Sequence, residues 1–280
     1  MTTRHAAVAG TWYPANPEAL ANDIDAYVGA ASDGPPGRID AIIGPHAGLM
    51  FSGSIAAWAY KAVVGQPYDV AILIGPSHFV RFEGVALYPE GAFATPFGPI
   101  AIDAGAARDV ARADIVKPLP SAHSREHSLE MHLPFLRRLL PELPIVPMLM
   151  GTQDRRTIEG LGHALGAAVQ SRRALIVAST DLSHYYDAGT AARLDGEVLD
   201  AVEAFDIDRL LTRFESFPET DRGRAVGCGI GPALAAMIAA REAGARNARV
   251  LKYGHSGEVS GDYDGVVGYM AVAVGTFDAQ

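Results

Sequence analysis

Six apolar runs of strand length punctuate the chain, and helical patterns separate most of them. They are residues 39–44 (IDAIIG), 69–75 (DVAILIG), 144–150 (PIVPMLM), 174–180 (ALIVAST), 248–254 (ARVLKYG) and 265–274 (GVVGYMAVAV). Several are continuously apolar rather than alternating. Successive side chains of a strand point to opposite faces, so such a run must be covered on both sides, as in the centre of an α/β sheet. Helical spacing predicts helices over 17–31, 52–64, 125–140, 155–170, about 190–204 and 230–244. The first has a proline at its start, Ser52 suits the second as a cap, and Gly244 suits the last as a left-handed C-cap. This alternation predicts an α/β fold with a central, mostly parallel or mixed sheet flanked by helices. Residues 82–102 read as a hairpin or short extended insert, and residues 115–125 as a loop. Nothing resembles a repeat or a linker, so a single domain over 1–280 is expected.

Composition narrows the function classes. The formal net charge is -9, and no cluster of Lys and Arg is present, which argues against nucleic acid or an anionic membrane as partner. The densest basic groups, Arg137–Arg138 and Arg172–Arg173, read as solvated helix ends. With the single cysteine Cys228 no internal disulfide can form, which suits a reducing cytoplasm. No signal-peptide core and no membrane-spanning apolar stretch is evident. A cytoplasmic location is therefore expected.

The chemistry concentrates where apolar runs end. AIIGPHAG (41–48) and ILIGPSH (72–78) each place Gly-Pro directly after a strand, with His46 and His78 just beyond. Proline removes a backbone donor and fixes φ, so the strand stops there. The carboxyl ends of strands are where open α/β sheets bind ligands. If the two strands are neighbours, both histidines face one crevice and bind one metal ion; the alternative is two unrelated loop histidines. VASTDLSHYYD (177–187) repeats the pattern and puts Asp181 and His184 at the same edge, as a third ligand or a general acid/base, or merely as a cap and a surface histidine. Cys228 sits between glycines before an apolar helix, as a thiolate ligand or as a small buried residue. In EHSLEMH (126–132), helical spacing puts His127 and Glu130 on one face, as supports for a metal site or as a plain polar face. No GxGxxG dinucleotide loop after a strand, no phosphate loop and no GxSxG elbow is present. His5, His123, His163 and His255 lack partners in the pattern and are expected at the surface.

HAAVAGTWYP, IIGPHAGLMFSG, ILIGPSH, EHSLEMHLPFL, STDLSHYYD and GCGIGP, in this order, resemble the Memo family, named AmmeMemoRadiSam system protein B in microbes. The resemblance covers essentially the whole chain. It implies the α/β fold of the class III extradiol dioxygenases, with a pocket at the sheet edge. It also implies His46 and His78 as metal ligands, and Cys228 where the dioxygenases carry a glutamate ligand. His184 matches the dioxygenase acid/base, Asp181 lines the pocket, and Trp12 resembles a pocket-wall tryptophan. Phe51 replaces an aromatic that is tyrosine in some members. A His2Cys set is softer than two histidines and a carboxylate, so copper and zinc gain while iron remains in reach. Thiolates also oxidise, which argues against simply transferring ring cleavage. The expectation is one ion, iron or copper before zinc, serving metal-dependent redox chemistry on a small molecule or peptide. The alternatives are a binding protein that assists radical-SAM partners and, last, a zinc hydrolase using His46, His78 and Asp181.

Overall fold

The computed structural model describes residues 2–170 and 172–278. Its strands are β1 (Thr3–Arg4), β2 (Gly37–Gly44), β3 (Val70–Pro76), β4 (Val85–Leu87), β5 (Ala92–Phe93), β6 (Ile100–Ala101), β7 (Val116–Pro118), β8 (Ile145–Met150), β9 (Ala174–Ser179), β10 (His184–Tyr186), β11 (Asn247–His255) and β12 (Val266–Phe277). Its α-helices are α1 (Pro17–Ala30), α2 (Leu49–Val63), α3 (Ala104–Val110), α4 (Leu133–Leu139), α5 (Arg155–Val169), α6 (Ala188–Glu203), α7 (Ile207–Glu215), α8 (Glu219–Ala225), α9 (Ile230–Glu242) and α10 (Gly257–Ser260).

The main sheet runs β10-β12-β2-β9-β3-β8-β4-β7, with β11 also on β12. Its centre, β2-β9-β3-β8, is parallel, with Ile42 beside Val177, Ile72 beside Ile176 and Leu73 beside Pro147. Antiparallel β12 and β4 flank that centre, so the sheet is mixed. Alternate residues of the central strands feed two separate cores. Ile43, Ile72, Ile74, Val146 and Met148 pack with α5, α6, α7 and α9. Ile42, Leu73, Leu149 and Val177 pack with α1, α2 and α4 on the other face. This double burial is what continuous apolar runs require.

Helix α9 is buried from Ile230 to Ala240, as expected of a helix apolar on all sides. Gly244 follows it at φ +95°. Helix α5 approaches α9 closely because Gly162 has no side chain: a Cβ there would lie 2.7 Å from the Ile238 Cβ. No single helix among the described residues is long and apolar enough to cross a membrane.

Several expectations need correction. The segment 125–140 is not one helix. The Glu126 carboxylate accepts the amides of His127 and Ser128, a 3-10 turn covers Glu130–His132, and α4 begins only at Leu133, with a proline in its first turn. Side-chain acceptance of consecutive amides diverts the backbone from helical bonding. Helix α2 starts at Leu49, so Ser52 is inside it and donates to the Ala47 carbonyl at 2.9 Å. Within 82–102, β4 joins the main sheet, while β5 and β6 form a small sheet with β1. The expected loop 115–125 contains β7 and a 3-10 turn at Pro120–His123. His123 is buried, its Nε2 bonding the Ala86 carbonyl at 3.1 Å, and His255 is half-buried. Arg172 is likewise half-buried and pairs with Asp103 and Asp109.

Gly162→Leu should force α5 and α9 apart and destabilise the protein by about 1–3 kcal/mol, because close-packed cores tolerate added volume poorly. Calorimetric melting tests this; an unchanged midpoint would show that the two helices can part freely.

Candidate metal centre

Because β2, β9 and β3 are adjacent and parallel, their carboxyl ends lie in a row. His46 follows β2, His78 follows β3 and Asp181 follows β9. The His46 and His78 rings are 5.2 Å apart. Cys228 arrives from the other direction, in the turn before α9. Gly229 presses against β9 so closely that a Cβ would fall 2.0 Å from the Ser179 carbonyl. That contact brings the Cys228 Sγ to 3.2 Å from His46 Nε2. One ligand atom from each of His46, His78 and Cys228 lies within 4.8 Å of the others. A nitrogen at ~2.1 Å and a sulfur at ~2.3 Å from one ion would be about 3.1–3.6 Å apart for right-angle to tetrahedral geometry.

Hydrogen bonding decides which nitrogens face the centre. Ser179 Oγ donates its only hydrogen to the Ser128 carbonyl at 2.7 Å. Toward His46 Nδ1, also at 2.7 Å, it can only accept, so Nδ1 carries the ring hydrogen and Nε2 is bare. His78 Nδ1 lies 2.9 Å from Glu126 Oε1. Burial works to raise the Glu126 pKa, but hydrogen bonds and charge from His78, with the His78 and Ser128 amides, more than offset it and hold it at about 2. The carboxylate is thus an acceptor, so His78 Nδ1 carries a hydrogen and Nε2 is the His78 nitrogen left to bind an ion. This is how metal-binding histidines are commonly oriented.

The electrostatics also suit a cation. Burial, helped by His78 and His127, holds His46 well below the ordinary histidine value, so it stays neutral. Burial lifts Asp181 to about 7, although the His46 and Ala47 amides pull the other way. Burial and the neighbouring Asp181 push the Cys228 thiol up. A cation between these groups would relieve both penalties, since a coordinating thiol ionises outright. The donor set therefore fits a metal ion.

The remaining candidates fall on several sides. Asp181 Oδ1 accepts the His46 amide at 2.8 Å. Asp181, His184 and Cys228 form a second trio of donors within 4.8 Å. His184 has its Nδ1 buried with no hydrogen-bond partner among the described residues, and burial lowers its pKa against the Leu182 and Gly223 carbonyls. Trp12 stands 4.4 Å from the His127 ring, and His127 stacks on His78 at 4.6 Å. Phe51 is half-buried against the core in the first turn of α2. Glu130 does not serve the histidines. Its carboxylate takes Arg4, the Ala7 and Val8 amides and the Tyr13 hydroxyl, and so ties down the N-terminal segment that carries Trp12.

The Memo-like protein family model matches residues 4–273. The chain belongs to this family. Among its relatives, a MEMO1 family protein of Methanosarcina mazei is 36% identical over 280 residues, covering 98% of this chain and all of that one. One from Methanopyrus kandleri is 35% identical over 284 residues, covering 96% and 98%. The crystal structure of an uncharacterized protein, JW3007, from Escherichia coli K12 superposes with a TM-score of 0.62 over 85% of this chain and 100% of that one. At 15% identity it establishes a shared fold.

In this Memo-family chain Glu126, Ser179 and Ser128 hold the site together although no sequence pattern marks them. Helical spacing puts Glu130 beside His127, but no continuous α-helix runs through 125–132, where a single 3-10 turn follows the bend at Glu126. Tyr185 carries no such mark either; it is 69% exposed and takes φ +59°, rare for a bulky residue. This kink separates His184, facing inward, from Tyr185, facing out. Arg224 reaches the carbonyls of both at 3.4 and 3.5 Å.

Glu126→Gln should lower metal affinity about 10–100-fold, the usual effect of losing a ligand's carboxylate support. Competition against a chelator measures this, and unchanged affinity would mean that the backbone alone orients His78. Tyr185→Asn should stabilise the fold by about 1 kcal/mol, since asparagine tolerates a left-handed backbone. A lower melting midpoint would show that the exposed ring contributes more than the backbone costs.

Proposed function

We propose that this chain is a metal-dependent redox protein, with one ion held by His46, His78 and Cys228 and protons handled by His184 and Asp181. The observation that carries this reading is the commitment of both Nδ1 atoms to acceptors, which leaves the two Nε2 atoms as the available ligand nitrogens, that of His46 beside the Cys228 sulfur. Two imidazoles and a thiolate suit iron or copper, with zinc third. Bound iron or copper would supply electron transfer or oxygen chemistry, and zinc would supply Lewis acidity.

The protein's own groups supply the rest. Burial disfavours the charged form of His184, and one of its ring nitrogens lies in a group with Asp181 and Cys228, so it is placed to take a proton at the site and return it. Asp181, at about 7, is poised to hold or release one near neutrality. Trp12 and Phe79 flank His127 and wall one side of the site. The His78 side chain is 28% exposed, which leaves an approach from solvent. A functional thiol also suits a reducing compartment such as the cytoplasm.

Cobalt(II) substitution tests the ligand set. The wild-type protein should bind one equivalent and show a thiolate charge-transfer band in the near-ultraviolet. Cys228→Ser should lose the band, and His46→Ala should lose tight binding. A band that survives Cys228→Ser, or binding indifferent to His46→Ala, overturns the assignment. Tight binding of iron and copper without any redox activity would favour the second reading, an accessory protein that binds a small molecule or peptide for radical-SAM partners. The thiolate at a position where the related dioxygenases use a carboxylate is the reason to keep that reading.

A further inference from the structure

Beside the metal centre lies an open cleft of about 600 Å³. It is formed by the loops after β3 and β8 and by α8, and at two points its wall adjoins the backbone that carries a donor. Ser77, next to His78, and Gly227, next to Cys228, both line it. Gln153, also in its wall, donates to the Cys228 carbonyl at 2.7 Å and accepts the Gly231 amide at 2.9 Å, so this wall is rigidly joined to the ligand turn.

The lining is specific in character. The half-buried Phe82 supplies apolar surface, and Arg81 and Arg222 supply guanidinium groups, with the buried Phe214 beneath Arg222. Arg222 is pre-oriented: its Nε donates to the Phe217 carbonyl at 2.9 Å, and its guanidinium lies 5.3 Å from the Phe214 ring centre. Neither Arg81 nor Arg222 has a carboxylate within 4.0 Å among the described residues. Many other arginines of this acidic chain do, as in Arg138–Asp25, Arg155–Glu215 and Arg173–Asp69. A fixed guanidinium with unused N–H groups is a receptor for carboxylate or phosphate. Glu83 and Glu219 line the same cleft, so net charge alone does not select the ligand; the held geometry of Arg222 does.

We propose that this cleft is an anion-binding substrate subsite adjoining the ligand turns, where Arg222 and Arg81 grip the carboxylate or phosphate of a small planar molecule that lies along Phe82. This deepens the metal-site reading and rests on it for the chemistry, but the recognition can be tested separately.

Binding of phenyl phosphate, benzoate, benzyl alcohol and benzylamine can be followed by ligand-observed NMR, with chelator-treated and metal-loaded protein. Phenyl phosphate and benzoate should bind the chelator-treated protein at least ~10-fold more tightly than benzyl alcohol, the scale expected of a charge-assisted contact. Arg222→Gln should remove most of that preference, leaving benzyl alcohol binding and metal affinity unchanged. Arg81→Gln should reduce the preference by a smaller factor. Preference for benzylamine would show that Glu83 and Glu219 dominate, and would overturn the proposal. Anion binding that needs the metal and ignores Arg222→Gln would also overturn it, since the anion would then be only a metal ligand. If the metal assignment fails instead, Arg222-dependent anion binding in the chelator-treated protein persists, so the two failures are distinguishable.

Discussion

The four parallel strands at the centre of the sheet are covered on both faces, and this governs everything polar in the molecule. Residues such as Ile42, Ile43, Ile72 and Leu73 leave no room on either face for a charged side chain. Polar chemistry can leave these strands only at their ends. The carboxyl ends of β2, β9 and β3 lie side by side, and there Gly-Pro steps and a Ser-Thr-Asp turn deliver His46, His78 and Asp181. The site is the consequence of where the apolar runs stop.

Position alone does not make a donor set. A second layer of hydrogen bonds aims the rings, and it comes from residues distant in sequence. Ser128 and Glu126 belong to a segment between β7 and α4, yet one fixes Ser179 under His46 and the other fixes His78. The same segment is braced by Arg4, which reaches the His123 and Glu126 carbonyls and the Glu130 carboxylate. A buried pair such as Arg4–Glu130 adds little net stability, because removing two charges from water is costly. It does fix register: it docks the N-terminal segment so that Trp12 meets His127. Beneath the site, His132 bonds the Tyr60 hydroxyl at 2.9 Å and burial lowers its pKa to about 3, so it stays a neutral spacer.

The two sides of the centre differ in kind. On the His127 side, stacked aromatic rings make a rigid wall. The kink at Tyr185 and the turn at Cys228 are loop features. Rigid strands hold the donors while loops face the incoming molecule, a division common where one scaffold carries varied chemistry.

The sequence by itself determined the layered α/β architecture, because continuous apolar runs have only one environment that covers both faces. It also marked His46, His78, Asp181, His184 and Cys228, since each sits where an apolar element begins or ends. Tertiary structure decided what local pattern could not. Glu126 rather than Glu130 supports the histidines, because a carboxylate that takes its neighbours' amides breaks the helix on which the i,i+3 reading relied. Arg4 and Ser179 act over more than fifty residues of separation, and no periodicity reports such pairs. The arginine cleft is assembled from two loops and helix α8, and its meaning depends on which guanidiniums lack a partner. That is a property of distances in space, which the order of residues along the chain does not contain.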